Sequence, residues 1–373
     1  MVTPLDDSKI PWIGFNLVKG IGPMRLNALI TAFGDIRLAW NAPASELKET
    51  GLNSKLVLSI IDVRESGILE QSLKKIREHG IEVLTWEDPD YPGRLKEIDQ
   101  SPPVLYCLGS MSGQDHWAVG VVGTRKVSAY GKQATRDIVS LLAQNGITIV
   151  SGLARGIDGV AHLSALEAGG RTIAVLGNGL DYIYPPEHRQ LAQRIMANGA
   201  LVSDYAPGIA PEAANFPPRN RIISGLSQAV LVMEAGEKSG AMITAAFAAE
   251  QGREVFALPG NIYSPQSKGT NQLIREGAHI LLSSQDVLEV LNLENVLELK
   301  TARSVLPANA TEAKLMDVLG NEPLYIDDIY NISALPIELV TSTLTLMELK
   351  GMVRKVGPMR YTAIHENRAE YEA

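Results

Sequence analysis

Val119-Gly120-Val121-Val122-Gly123-Thr124-Arg125, and after one amphipathic stretch Ile147-Thr148-Ile149-Val150-Ser151-Gly152-Leu153-Ala154-Arg155-Gly156-Ile157-Asp158, decide how this chain folds. Each begins as an unbroken run of small and β-branched apolar residues and stops at a glycine-bearing turn with an arginine. A strand buried on both faces reads this way, because neither face has to meet water. Outward from this pair the pattern recurs in Thr172–Leu176, Leu201–Ser203, Ala229–Met233, Glu254–Leu258 and His279–Leu282, with helical spacing between the runs. Strands that alternate with helices predict an α/β fold, a doubly wound, extended Rossmann-like parallel sheet. Two further runs, Ile81–Thr85 and Val104–Leu108, lie upstream among prolines, so the expected α/β domain covers residues 81–298.

The flanks read differently. Residues 1–80 place apolar side chains at helical spacing in short segments, which predicts a small helical domain. Within it Val18-Lys19-Gly20-Ile21-Gly22-Pro23 resembles the hairpin of helix-hairpin-helix modules. A linker is expected over residues 299–310. Residues 311–373 predict three helices (Glu312–Leu319, Ile326–Ile332, Ile337–Leu349) and a hairpin (Met352–Val356, Arg360–Thr362), the plan of a winged helix. Its recognition helix carries Glu338 and Glu348 against Lys350. Groove-reading helices are usually basic, so a protein-contact role is expected, with Arg354, Lys355 and Arg360 as wing cations.

The 373 residues are 45% hydrophobic and 20% charged, a globular composition rather than a disordered one. Lys and Arg number 34 against 42 Asp and Glu, a net charge of −8, but the excess of acid is uneven. Residues 120–280 hold 14 basic and 12 acidic side chains, which leaves the rest of the chain at −10. A single cysteine, Cys107, excludes a disulfide framework and a multi-cysteine zinc site, and the six histidines lack helical metal-site spacing. The first residues, Met1–Lys9, are polar, and no apolar run reaches the ~18 residues of a membrane span. A soluble, cytoplasmic protein is expected.

In an open parallel sheet the ligand lies beyond the carboxyl ends of the strands. There the chain places Gly123-Thr124-Arg125-Lys126, Ser151–Asp158, Gly177-Asn178-Gly179 and Glu234–Gly240, with Arg219 and Arg221 in a proline-rich loop before another helix. Glycine admits a close backbone approach, helix N-termini offer unpaired N–H groups, and Arg125, Arg155, Arg219, Arg221 and Lys238 add full charge: together these favour phosphate. The spacing is neither G-x-G-x-x-G with an acid ending the second strand nor G-x-x-x-x-G-K-[ST]. A polyanion spread over several turns is therefore expected, and no cofactor. Asp158 reads as the N-cap of the following helix, with an acid–base pair to His162 as the alternative. Glu234 reads as structural, near Lys238. Gly177 and Gly179 fit either a tight turn or a ligand approach, and Arg125 and Arg155 either anion contacts or surface ion pairs.

Taken in order, Gly120–Arg125, Ser151–His162, Phe216–Ser224, Lys238–Thr244, Leu258–Asn261 and Gly269–Ala278 resemble the DNA-processing protein A (DprA/Smf) family. Tyr91-Pro92 and Pro103–Gly109 are similar to that family's lead-in, so the resemblance runs from Trp86 to Leu282. It implies a protein without catalysis of its own that binds single-stranded DNA. Such a protein protects strands taken up during natural transformation (competence) and loads the recombinase RecA in competition with single-strand-binding protein. It also implies a homodimer formed through the α/β domain, with a sterile-alpha-motif-like helical domain before it. Carried over by residue, it implies a DNA pocket of Gly123, Thr124, Arg125, Ser151, Gly152, Arg155, Gly156, Phe216, Arg219, Asn220, Arg221, Lys238 and Ser239. Phe216 would stack on a base. The competing expectation is an enzyme similar to LOG-type nucleotide phosphoribohydrolases. That family pairs a phosphate turn with a glutamate one helical turn on, whereas here no acid follows Gly240 before Glu250. A nucleotide-sensing winged-helix regulator is a third expectation, which the acidic recognition helix disfavours.

Overall fold

β3 (Ala118–Val122), the first quoted run, lies inside a nine-stranded sheet of order β1-β2-β6-β5-β4-β3-β7-β8-β9. The other strands are β1 (Glu82–Thr85), β2 (Val104–Gly109), β4 (Thr148–Ser151), β5 (Thr172–Val175), β6 (Gly199–Ser203), β7 (Ala229–Val232), β8 (Glu254–Ala257) and β9 (His279–Ile280). From β6 to β9 every neighbouring pair is parallel, while β2 runs antiparallel to β6 and to β1. Every residue of β3 through β7 is buried, as the two-faced burial of a parallel strand requires. The computed structural model describes residues 6–292, 309–319, 323–349, 352–356 and 359–363.

Ahead of the sheet, residues 6–80 form six short helices, α1 (Ile10–Leu17), α2 (Pro23–Phe33), α3 (Ile36–Asn41), α4 (Ala44–Glu49), α5 (Ser54–Glu65) and α6 (Ile68–His79). Their buried side chains, Trp12, Phe15, Leu29 and Ile60 among them, share one apolar cluster with Val83, Tyr106, Leu176 and Leu201 of the sheet region. The change at residues 80/81 is a change of secondary structure within one apolar core, and a single compact unit reaches Val287. A single-turn helix, α7 (Gly93–Lys96), joins β1 to β2.

The strand order reverses at β3. The chain runs from β3 through β4 and β5 to β6 on one side, then crosses to β7, β8 and β9 on the other. The carboxyl ends of β3, β4 and β7 thus surround the topological switch point, where this class of sheet opens a crevice. Five helices lead away from this region: α8 (Ala129–Gln144), α9 (Ile157–Glu167), α10 (Arg189–Asn198), α11 (Phe216–Leu226) and α12 (Gly240–Glu250). Ser128 starts α8 by accepting the Gly131 amide at 3.0 Å, and Ser239 starts α12 by accepting that of Ala241 at 3.3 Å. α11 corrects the sequence reading, since Arg219 and Arg221 sit inside this helix rather than in a loop before it. Pro217 and Pro218 occupy its first turn, where a missing N–H costs nothing.

The second unit begins at Leu288. Of the linker expected over residues 299–310, residues 299–308 lie outside the described residues, and Ala310 already begins a helix. Helices Ala310–Val318, Ile326–Ser333 and Ile337–Leu349 close over Leu315, Ile329, Val340, Leu344 and Met347. A three-stranded sheet adds Val353–Lys355, Arg360–Ala363 and the unanticipated two-residue strand Leu324–Tyr325. The wing cations rest on rings, with Lys355 Nζ 6.0 Å from the Tyr361 centroid and the Arg360 guanidinium 5.7 Å from that of Tyr325. Lys350 and the turn residues Gly357 and Pro358 lie outside the described residues.

Candidate nucleic-acid interface

Three turns are tied together before any ligand arrives. The Thr124 amide donates to Glu234 O at 2.7 Å, and Thr124 O accepts the Ile157 amide at 3.2 Å, which joins the ends of β3, β7 and β4. Glu234 is buried, and its carboxylate accepts both the Ser128 amide (2.9 Å) and hydroxyl (2.5 Å), so it organises the β3–α8 turn instead of facing Lys238. Gly156 must be glycine: its φ is +79°, and an added Cβ would stand 2.2 Å from Thr124 O. Gly156→Ala should therefore destabilise the protein by about 2–3 kcal/mol, read from the urea unfolding midpoint at unchanged m-value.

Over these turns opens a cavity of about 810 Å³. Of the thirteen expected pocket residues it is lined by eight, namely Gly123, Thr124, Arg125, Phe216, Arg219, Asn220, Lys238 and Ser239. Helix geometry explains the selection within α11. Phe216, Arg219, Asn220 and Ile223, at i, i+3, i+4 and i+7, share one face and all line the cavity. Arg221, two residues or about 200° beyond Arg219, points elsewhere. It donates to Asp204 (2.8 Å), Gln100 O (2.8 Å) and Pro218 O (3.0 Å), and is a strut between α11 and the sheet.

The remaining four also fall outside the cavity lining. Arg155 is exposed and its guanidinium pairs with the Glu187 carboxylate, the surface ion pair that was its alternative reading. Ser151 is fully buried and donates its hydroxyl to Val121 O at 2.6 Å, so it joins β4 to β3. Gly152 and Gly156 serve close packing: a Cβ on Gly152 would meet the Arg219 guanidinium at 2.5 Å. Gly177 and Gly179 prove to be packing positions too. Gly177 lets the Phe216 ring lie against the backbone, and Gly179 admits Ala206 O.

Asp158 is not the N-cap of its helix; Gly156 is. Its Oδ2 instead accepts the amides of Gly152 (3.1 Å) and Ala154 (3.3 Å). Burial pushes this carboxyl above its ordinary value, against the lowering effect of Arg219, the two amides and Arg125. His162 is no partner to it. The ring is buried, its Nδ1 lies 2.7 Å from Thr172 Oγ1, and burial first, with His188 and Arg219, lowers its pKa to about 3, which keeps it neutral. Arg219 is 4% exposed, and its Nη1 donates to Gly152 O (2.8 Å) and to Val175 O. Burial lowers its pKa to about 10, so it stays charged at neutral pH.

The charged residues of the lining are Arg125, Arg219 and Lys238 against Asp158, a net positive wall. The exposed Arg125 has no carboxylate within ion-pair distance among the described residues. Its guanidinium stands 5.8 Å from the Phe216 centroid, and that of Arg219 stands 5.9 Å from it. Tyr184 completes the aromatic wall, its ring 5.7 Å from that of Phe216. Sequence reasoning missed Tyr184 because it stopped at Gly179; the signal was the aromatic pair that follows β5, Tyr182 and Tyr184 in Asp181-Tyr182-Ile183-Tyr184, of which the second lines the cavity. Among the described residues no cluster of His, Cys, Asp and Glu has the form of a metal site, and no helix is long and apolar enough to cross a membrane.

Fold and site together define a doubly wound α/β protein with an open, cationic, aromatic-walled cavity at its switch point. The family model for DNA recombination-mediator protein A matches residues 82–292, and that for the DprA winged helix domain matches residues 300–357. Protein Smf of Synechocystis is 39% identical over 94% of this chain and 97% of its own length. DNA processing protein DprA of Bacillus subtilis is 43% identical over 61% of this chain and 77% of its own. The X-ray structure of DprA from Streptococcus pneumoniae superposes with a TM-score of 0.65 at 33% identity, covering 77% of this chain and 98% of that one. DprA of Helicobacter pylori, described for its single-stranded DNA binding mode, gives 0.52 at 33% identity over 57% of this chain and 97% of that one. The chain belongs to the DprA/Smf family of DNA recombination-mediator proteins.

Proposed function

We propose that this protein binds single-stranded DNA in the strand-end cavity and passes it to a RecA-type recombinase, without catalysis of its own. The observation that carries the reading is the convergence of Arg125 and Lys238, neither in an ion pair among the described residues, with Phe216 and Tyr184 around one open cavity. Cations neutralise phosphates, and the rings take bases without regard to sequence. The Helicobacter pylori relative, described as binding single-stranded DNA, supports it. Family membership extends the proposal to strand protection in natural transformation, competition with single-strand-binding protein, a homodimer through the α/β unit and a cytoplasmic location.

The test is fluorescence anisotropy with labelled oligothymidine across a salt series. Log affinity should fall by ~0.7 per log salt for each phosphate neutralised, and Arg125→Ala and Lys238→Ala should each flatten the slope by about that amount. Arg221→Ala, a strut outside the cavity, should leave the slope unchanged. Equal slopes for wild type, Arg125→Ala and Lys238→Ala would remove those cations from the interface.

One observation favours the hydrolase alternative: Asp158 is a buried acid in the cavity wall. Its Oδ2 is already engaged by two turn amides, which suits a structural anion better than a proton carrier. Release of ribose phosphate from nucleoside monophosphates, lost in Asp158→Asn, would establish the enzyme instead.

A further inference from the structure

The β4–α9 turn, Ser151 to Gly156, has the form of a phosphate-binding turn, a strand leading through glycines into a helix N-terminus. Three of the amides along it are nonetheless already used. Those of Gly152 and Ala154 converge on Asp158 Oδ2, and that of Ile157, at the head of α9, goes to Thr124 O. Leu153 between them is held at φ +56°, a left-handed conformation in which a leucine is strained, so the carboxylate fixes a turn that would otherwise relax. We infer that Asp158 is an internal anion occupying this turn in place of a ligand phosphate, and that its charge limits how tightly the cavity holds a DNA backbone. The inference rests on the single-stranded-DNA reading above and deepens it.

The charge itself is what the turn does not need. Both amide bonds fall on the same carboxylate oxygen, so a neutral acceptor at that point would keep the geometry. The cavity, however, feels the charge. Asp158 is 6% exposed and lines it, and Arg219, 4% exposed, directs its Nη1 to two backbone carbonyls rather than to a carboxylate. Buried side by side in one wall, the two cancel at the distance of a bound phosphate, which leaves Arg125 and Lys238 on the rim as the effective cations. A strand gripped mainly by exposed rim cations dissociates readily, which suits a protein that must hand its DNA on.

Asp158→Asn tests this, because its single amide oxygen can accept both turn amides while the charge is gone. Binding to labelled oligothymidine should tighten roughly tenfold, with slower dissociation in a chase against unlabelled strand and a salt slope steeper by ~0.7, because Arg219 then counts as a further effective cation. A carboxylate that is merely structural predicts the reverse, weaker binding; a lowered melting temperature is expected on either account, because the variant removes the charge that compensates the buried Arg219. Equal or weaker binding by a folded Asp158→Asn overturns the inference. Should the asparagine variant fail to fold, Asp158→Ser, which keeps one acceptor and also lacks the charge, takes its place: it should bind more tightly, and equal or weaker binding overturns the inference in the same way. Wild-type protein that does not bind oligothymidine overturns the single-stranded-DNA reading itself, and the inference with it; wild-type binding with no tightening in the variants overturns the inference alone.

Discussion

Arg219→Met should cost the fold roughly 3–5 kcal/mol and abolish DNA binding with it, whereas Arg125→Met should leave stability within ~0.5 kcal/mol and weaken binding alone. The two arginines stand at similar distances from the Phe216 ring, yet their energetics differ because one is buried and the other exposed. Methionine fills much of the volume of Arg219 but donates to neither Gly152 O nor Val175 O, and each orphaned buried carbonyl costs about 1–3 kcal/mol. It also leaves Asp158 buried with its principal compensating charge removed, which adds to the penalty. The loss is a large fraction of the 5–15 kcal/mol that ordinarily holds a domain together. Urea unfolding of the two variants beside wild type measures it. If Arg219→Met were as stable as Arg125→Met, Arg219 would be a surface ligand contact and not the pin that joins α11 to the ends of β4 and β5.

That contrast shows where sequence reasoning about the site reached its limit. Glycine after a buried apolar run and a cation beside it mark a strand-end turn, and this is enough to find Gly123, Thr124, Arg125, Lys238 and Ser239, all in the cavity. Where a long side chain ends is set by a partner distant in sequence. Arg155 looks equivalent to Arg125 until Glu187 takes its guanidinium, and Arg221 looks equivalent to Arg219 until Asp204 does the same. For α11 the spacing did hold the answer: Phe216, Arg219, Asn220 and Ile223 share a helical face that excludes Arg221, but two prolines disguised the helix as a loop. Asp158 was recognisable as a helix-start acid, yet which amides it accepts depends on the bend at Leu153, which no residue type announces.

The sheet was far more transparent. β3 to β8 are short and largely buried on both faces, so each appears as an apolar run whose ends fall within a residue or two of the observed strand. What escaped was either too short for periodicity, like Leu324–Tyr325 and the single-turn α7, or a matter of packing between segments. The helical first eighty residues are the main case. Their spacing reports helices, but nothing in it reports that the faces of those helices are completed by the sheet region and not by each other alone.

Trp12→Ala, in the first of those helices, should therefore destabilise the whole unit and not a separate N-terminal module, by about 3–5 kcal/mol. Trp12 is 2% exposed and packs edge-on against Trp86, just past β1, at a centroid distance of 6.0 Å. Around it the same helices bind the sheet by polar contacts that a free-standing module would lack. Lys9 donates to Val83 O at 2.6 Å and pairs with Asp88 at 2.7 Å, and Asn16 accepts from the Tyr106 hydroxyl and donates to Asp204 O. Lys75 reaches Asp181 at 2.9 Å, and Asp181 in turn accepts the Gly208 amide, so α6 steadies the segment after β5 that carries Tyr184 to the cavity. An alanine at position 12 opens a void at the centre of this contact, and the cost falls on both sides of it. Far-ultraviolet circular dichroism and tryptophan fluorescence should consequently lose signal in coincident transitions for residues up to Val287, each shifted down from wild type. An early helical transition that leaves the sheet and oligothymidine binding intact would mean that the eighty residues fold on their own and merely lie against the rest.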